Sequence, residues 1–511
     1  MNSEDPAPAH RQALHPVTLP GGRVALRQAE GRTIRIGWPE FGQPMFYPMR
    51  MVGVTDATLR VAHDMGTDGE QIEEIDMQYR WSMAPAIRQV QPYIMYGQSL
   101  ALSLGHDMPL TDTPIAPGRA LTFANPGAGA QMSVSERPGR DQRDFGPCHF
   151  PQSDLDRLED LAEGPGESPV SAAVAGLLAG LPADTGVVAT NHGRGGVAMR
   201  KLLPRRISAS SGIQYAGILR ALARTRQFCD VHGCTMRQPI MSFIHGEAFQ
   251  PDDWRLYGDR IVSLQTAMTE DFGLITDLDA PVLMFVDQAR VAFRPDDRLH
   301  RNAIPAAVAQ LRASLAHPGR IFCVGPKYFL PRRSTVKGRG DPVHLVAAAS
   351  RFLGDYHGRA IRQTLSGSGW VPLHVAGYAR EGQAIRLTVA GGDGSPLAID
   401  TETVSRTANS TFGFRWMQEG GTERQVVDVA VDGRQILVSL DADPGRAGVD
   451  FRKAVLAIGL VADLPLRDEG PLTGGRTNVR DGAADIGSGG EPMFNWLCHD
   501  WIWETEDGSA T

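Results

Sequence analysis

The chain has no dominant cluster of basic residues and no apolar run near the roughly 18 residues that a membrane-spanning helix needs. Its 51 Lys and Arg are outnumbered by 58 Asp and Glu, for a formal net charge of -7. That balance argues against a nucleic-acid or anionic-membrane surface, which requires clustered cations. The most basic runs, Arg200-Lys201, Pro204-Arg205-Arg206 and Pro331-Arg332-Arg333, read as solvated loops. Cysteine is scarce: Cys148, Cys229, Cys234, Cys323 and Cys498 are odd in number and scattered, so no disulfide framework is expected. Cys229-Asp230-Val231-His232-Gly233-Cys234 offers three ligands at a spacing unsuited to zinc and has no second pair, so neither a metal nor another cofactor is expected. The start, MNSEDPAPAHRQALHPV, lacks a basic segment followed by an apolar core. No signal peptide is therefore expected and the location reads as cytoplasmic, with a secreted or virion-associated one left open.

What is present is an ordinary globular composition, 42% hydrophobic and 21% charged over 511 residues, too long for one core. The patterning divides it. Residues 1–90 carry short strand-like runs such as TIRIGW and MRMVGV between Gly, Pro and Asp, and predict a small β-rich region. Residues 91–368 alternate continuous apolar strands with helical periodicity, which predicts an α/β domain with a parallel sheet. Expected helices start at Val170, Ile213, Trp254, Ile304 and Leu345, and expected strands at Val187, Pro239, Val282 and Ile321. Within this region 105–166 is dense in Gly, Pro, Asp and Arg, and reads either as a wall of the pocket or as a surface insertion. Residues 369–511 turn to period two, as in AIRLTVAG and RQILVSL, and predict a C-terminal β-sandwich accessory domain. Trp496, Trp501 and Trp503 cluster in its tail, where burial on a closing strand is favoured over stacking on sugar.

The α/β part opens on QPYIMYGQSLALSL, a strand from Tyr93 to Tyr96, a break at Gly97-Gln98-Ser99 and a helix start. A serine on such a turn stands at the carboxyl end of a strand, where open α/β sheets bind ligands, and faces the amide-rich end of a helix. Ser99 is thus a candidate nucleophile, with helix capping as the alternative. Far downstream, Gly340-Asp341-Pro342-Val343-His344 leads into the last helix. Two further landmarks lie between. Gly193-Arg194-Gly195-Gly196 follows the strand VVAT, and His245-Gly246-Glu247 follows PIMSFI.

In this order the four landmarks resemble the SGNH hydrolase superfamily, and within it the sialate O-acetylesterase-like carbohydrate esterases. The resemblance covers residues 91–365 and implies a three-layer, flavodoxin-like domain with a Ser-His-Asp triad. Ser99 would be the nucleophile, His344 the base and Asp341 the acid, with Glu247 as an alternative acid or as a partner of the serine turn. The oxyanion hole would draw on Ser99, Gly195, Gly196 and His245. Two positions depart: Leu100 stands where the family usually has asparagine, and His245 where it usually has glutamine. A neutral imidazole donates from one nitrogen only. Asp252, Asp253 and His192 read as surface residues.

A hydroxyl attacks an ester near neutral pH only if a neighbouring base takes its proton, which a Ser-His-Asp set does. The reading is a serine esterase that removes acetyl groups from a carbohydrate, polysaccharide or sialic-acid-like. A non-catalytic carbohydrate-binding or virion-associated structural protein on a degenerate esterase fold stays open. A lipase or thioesterase is disfavoured because no long apolar acyl channel is evident. The expected partner is the acetylated carbohydrate, without nucleic acid or membrane, and a homo-oligomer is left open.

Overall fold

The computed structural model describes residues 86–502 with interruptions, the longest at 131–154, 291–305, 334–342, 444–453 and 459–470, and only the strand backbones before residue 86. Those early strands are β1 (Leu14–Thr18), β2 (Val24–Gln28), β3 (Thr33–Ile34), β4 (Met49–Val54), β5 (Thr58–Asp64) and β6 (Glu70–Asp76). They pair antiparallel in two sheets, β1-β2-β3 and β4-β5-β6.

The centre of the molecule is a mainly parallel eight-stranded sheet. Its members are β7 (Gln89–Gly97), β8 (Ala120–Phe123), β9 (Leu158–Asp160), β10 (Thr185–Asn191), β11 (Thr235–Met236), β12 (Ile240–Ile244), β13 (Leu283–Asp287) and β14 (Ile321–Gly325). The order is β14-β13-β12-β7-β10-β8-β9, with β11 paired to the start of β7, and β9 is antiparallel to β8. Helices α1 (Val170–Ala179), α2 (Ile213–His232), α3 (Trp254–Thr276), α4 (Ala306–Ala316) and α5 (Ala347–Leu365) connect or follow the strands. None among the described residues is long and apolar enough to cross a membrane.

The strands are apolar at nearly every position because both faces are covered. Along β7, Ile94 and Tyr96 join one hydrophobic cluster with Ile218, Leu222, Leu264 and Leu311 of α2, α3 and α4. Tyr93 and Met95, pointing the other way as period two demands, join a second with Val174 and Leu177 of α1 and Leu353 and Ile361 of α5. Pro92 has no N–H for a ladder; it falls where the neighbour of β7 changes from β11 to β12. On the second face α1 and α5 cross through glycines: a Cβ on Gly358 would press on the backbone of Gly176 and of Ala173.

The stretch 105–166 contributes more than surface. It supplies β8 and β9, and Glu167 holds its Leu110 and Thr111 amides at 2.6 and 2.9 Å. Four residues, ALTF, are too short for a periodic signal, which explains why β8 is silent in the sequence.

Beyond α5 the chain is antiparallel. Strands β15 (His374–Glu381), β16 (Ala384–Ala390), β17 (Ala398–Ile399), β18 (Phe414–Gln418), β19 (Val426–Asp432), β20 (Gln435–Leu440), β21 (Ala454–Ile458), β22 (Val479–Arg480), β23 (Asp485–Ile486), β24 (Pro492–Met493) and β25 (Asp500–Ile502) follow. They form sheets β15-β16-β20-β19 and β18-β21-β25 and the pairs β17-β22 and β23-β24. Across the boundary expected near residue 368 the two parts pack against each other. Trp370, Val404, Met493 and Trp496 belong to the same cluster as α1 and α5, and Trp370 Nε1 donates to the Cys323 carbonyl of β14 at 2.7 Å. Trp496 and Trp501 are buried, and Trp503 lies outside the described residues.

Candidate active site

Parallel strands place their carboxyl ends on one edge, and five of those ends converge here: β14, β13, β12, β7 and β10 are consecutive in the sheet. At the end of β7 the backbone turns through Gly97 at φ 137°, a conformation open to glycine and rarely to other residues. A Cβ there would also run into the Ile244 carbonyl of β12. The Gln98 N–H donates to that same carbonyl at 2.9 Å, and the Arg194 N–H donates to the Gly97 carbonyl at 3.0 Å. The turn is therefore clamped from both neighbouring strands. Ser99 then opens a 3-10 turn, Ser99–Ala101, whose first amides have no acceptor within the turn.

The Ser99 hydroxyl is not spent on capping. Its Oγ lies 2.9 Å from His344 Nε2, although the two residues are 245 apart in sequence. His344 is held by a short antiparallel clip: the Arg333 N–H donates to its carbonyl at 3.0 Å, and Arg332 is bridged to Leu345. With Nε2 accepting from the hydroxyl, this is the arrangement that lets an imidazole remove the serine proton. Asp341 lies outside the described residues.

Glu247 faces the serine turn from the other side. Its Oε2 accepts from Gln98 Nε2 at 2.6 Å, and its Oε1 accepts from the Arg290 N–H at 3.1 Å and from Lys327 Nζ at 2.7 Å. Glu247 thus touches the serine turn through the Gln98 side chain. Lys327 also reaches Asp287 Oδ2 at 2.5 Å, and His357 of α5 stands 3.8 Å from the other Asp287 oxygen. Lys327 and Asp287 are each 1% exposed. Burial pulls the Lys327 ammonium down, but Asp287 and Glu247 outweigh it and hold it above its ordinary value. Burial pushes the Asp287 carboxyl up; Lys327 and His357 more than reverse this and leave it below its ordinary value.

The glycine turn after β10 meets the serine turn through its first residues. Gly195 and Gly196 are exposed, with nothing near where a side chain would be; the contacts to the serine turn come from Gly193 and Arg194. A Cβ on Gly193 would press on Leu102 and on the Gln98 carbonyl. His245 is fully buried, with Nδ1 2.9 Å from the Tyr257 hydroxyl and Nε2 3.0 Å from the Val197 carbonyl. A carbonyl can only accept, so Nε2 carries the hydrogen and Nδ1 accepts from Tyr257. Both nitrogens are then engaged, and His245 braces the loop after β10 instead of facing the serine. Burial pulls its pKa down to about 4. Leu100 packs into the cluster of α1 and α5. His192, expected on the surface, is 1% exposed, and burial pulls its pKa down to about 3.

Three functional neighbours were not anticipated from sequence. Asn191, the last residue of β10, donates from Nδ2 to the Ala101 carbonyl at 2.6 Å and accepts from the Gly193 N–H at 3.0 Å, so one amide joins the serine turn to the glycine turn. An asparagine directly before a Gly-rich turn was the available signal. Lys327 and Asp287 had no such signal, because a lone charge at a strand end normally reads as solvated. Among the described residues no group of three or more His, Cys, Asp or Glu side chains could hold a metal ion.

A C-terminal strap backs these loops. Tyr328 Oη lies 2.8 Å from Thr477 Oγ1 and donates to the Leu497 carbonyl at 2.9 Å. The Gln288 side chain donates to the His499 carbonyl at 2.9 Å and accepts from the His499 N–H at 2.8 Å. The residues beside Lys327 and Asp287 are thus each pinned by chain nearly at its end.

No protein-family model matches the chain, and no curated protein sequence matches it. Solved structures similar to it include a carbohydrate acetylesterase from Xanthomonas citri, at 13% identity and TM-score 0.49 over 94% of this chain and 91% of that one. NanS is similar at 14% identity and TM-score 0.34, over 55% of this chain and 99% of its own. Est24, a carbohydrate acetylesterase from Sinorhizobium meliloti, is similar at 11% identity and TM-score 0.25, over 54% of this chain and 99% of its own. The solved structures that this chain is similar to thus include carbohydrate acetylesterases, the group that its Gly-Gln-Ser and Asp-x-x-His motifs resemble.

Proposed function

We propose that the chain is a serine esterase that hydrolyses O-acetyl esters on carbohydrate, with Ser99 as nucleophile, His344 as general base and Asp341 as the acid that orients the imidazole. The observation that carries this reading is the 2.9 Å separation of Ser99 Oγ and His344 Nε2 at the carboxyl edge of the sheet. As Ser99 Oγ bonds to the acetyl carbon, its proton passes to His344 Nε2. The carbonyl electron pair moves onto oxygen, held by the Ser99 N–H and by amides of the turn after β10. One such donor contributes about 3 kcal/mol in other hydrolases. Collapse breaks the bond to the sugar oxygen, which takes the proton from His344. Water then repeats the cycle on the acetyl-serine and releases acetate.

The carbohydrate part of the reading rests on the motif resemblance, and acyl-ester hydrolysis rests on the side chains. The fold reading that accompanies it is a three-layer SGNH domain with a C-terminal β-sandwich; support comes from the separate clusters on the two sheet faces and the third one shared by β15–β21. The test is acetate release from a panel of acetylated glycans and from a small aryl acetate, with Ser99→Ala alongside. Wild-type turnover lost in the alanine variant is the expected result. An inert wild type leaves the non-catalytic reading, and an active alanine variant removes Ser99 from the mechanism.

A further inference from the structure

Lys327 is a fully enclosed ammonium whose two partners are both carboxylates, Glu247 and Asp287, brought together from the ends of β12 and β13. Buried ion clusters of this kind contribute little net stability, since desolvation offsets attraction and apolar side chains of similar volume would pack as well. What the cluster does supply is a fixed carboxylate, and the free oxygen of that carboxylate holds the residue next to the nucleophile, at 2.6 Å from Gln98 Nε2.

We infer that Lys327 is a positioning residue for the nucleophile, acting through Glu247 on Gln98 and so on the Ser99 hydroxyl; the inference rests on the esterase reading above. The chemistry is direct. With the ammonium in place, Glu247 accepts from the Gln98 amide on one oxygen while the other stays on Lys327 and the Arg290 N–H. Without it, Glu247 and Asp287 are two buried carboxylates with no ammonium between them, and their repulsion pushes them out of their present positions. Glu247 is then no longer held where its Oε2 meets Gln98 Nε2, and Gln98 loses its fixed orientation. Gln98 and Ser99 share one peptide unit, so the error passes to Oγ. Displacements of about 1 Å at a reacting atom cost on the order of a hundredfold in rate.

The test compares wild type, Lys327→Met, Gln98→Leu and the double variant on a small aryl acetate, with kcat and KM measured separately and folding followed by melting. Each single variant should lower kcat by about 10- to 100-fold with KM within about twofold. The double should be no slower than the slower single, because both changes break one chain of contacts. A purely structural lysine predicts a lower melting temperature with kcat intact, and additive losses mean two separate effects; either result overturns the inference. Gln98→Leu leaves the ion cluster whole, so it decides the matter if Lys327→Met does not fold: unchanged kcat in Gln98→Leu is then sufficient to reject the role, and a kcat loss in that range with KM held supports it. A wild type that does not hydrolyse the ester overturns the esterase reading and this role together, whereas an active wild type with an equally active folded Lys327→Met overturns this role alone.

Discussion

Ser99 Oγ and His344 Nε2 are within hydrogen-bonding distance, 2.9 Å, although the serine follows the strand β7 inside the sheet and the histidine follows β14 at its edge. Two strand ends, those of β12 and β13, lie between, and the residues on them, Glu247 and Asp287, are joined to each other through Lys327. Changes at places that carry no reacting atom are therefore expected to reach the site.

Asp341→Asn should slow turnover by up to about four orders of magnitude, as loss of the orienting carboxylate does in other triads. Glu247→Gln should cost less, on the order of ten- to a hundredfold, through the Gln98 contact. Measured side by side on one aryl acetate, a larger loss in Glu247→Gln would move the acid role from Asp341 to Glu247.

Gly97→Ala should destabilise the protein by at least about 2 kcal/mol, because the residue combines positive φ with backbone contact to Ile244. Gly195→Ala, at an exposed position with open space, should stay within about 0.5 kcal/mol. Urea midpoints of the two variants check this, and equal midpoints would contradict the account of the turn.

Stability should fall in acid. His192 and His245 are pulled by burial to about 3 and about 4, below the unfolded value of about 6.5. The unfolded chain then binds more protons below that value, so their contribution is complete above about pH 6.5 and is lost as pH falls towards 4 and then 3, on the order of 3 kcal/mol or more for each. Glu163, pushed by burial to about 7, works in the opposite sense: its contribution is present below about pH 4.3 and lost as pH rises through 7. Two histidines against one glutamate leave a net loss into acid. A denaturation midpoint that stays level between pH 6.5 and 4 would refute this, and His245→Gln should flatten the limb.

A chain ended near Ser366 should lose activity on small and polymeric esters alike. Such a truncation strips Trp370, Met493 and Trp496 from the cluster that buries α5, exposing Phe329 and Tyr356, which stack with Trp496 or lie beside it. Aggregation is the expected outcome by size-exclusion chromatography. A monodisperse truncated protein with wild-type kcat on an aryl acetate would show that the C-terminal part is a separate accessory.

The elements that could be read from sequence were those with a local signal. Continuous apolar runs marked β7, β10, β12, β13 and β14, helical patterns marked α1 to α5 among the described residues, and Gly97-Gln98-Ser99 and His344 sat at the breaks between them. What escaped depends on partners far away in the chain. His192 and Lys327 look like solvent-facing residues until the sheet edge closes over them, and a histidine after Phe243 gives no hint that Tyr257 and the Val197 carbonyl will occupy both ring nitrogens. The packing of Trp370, Met493 and Trp496 against α5 was hidden in the same way, since period two reports a strand and not what the strand packs against.

The strap from Thr477 to His499 also sets an order of events during synthesis. Every residue assigned here to chemistry is made by His344, yet the side chains beside Asp287 and Lys327 find their backing only when Thr477, Leu497 and His499 have followed. At about 5 to 20 residues per second, the nascent chain carries its nucleophile and base for on the order of ten seconds without the scaffold that aligns them. Activity would therefore switch on late and as a step, after the strap docks, and a ribosome-held chain stalled between these points should be silent towards an ester that the finished protein cleaves.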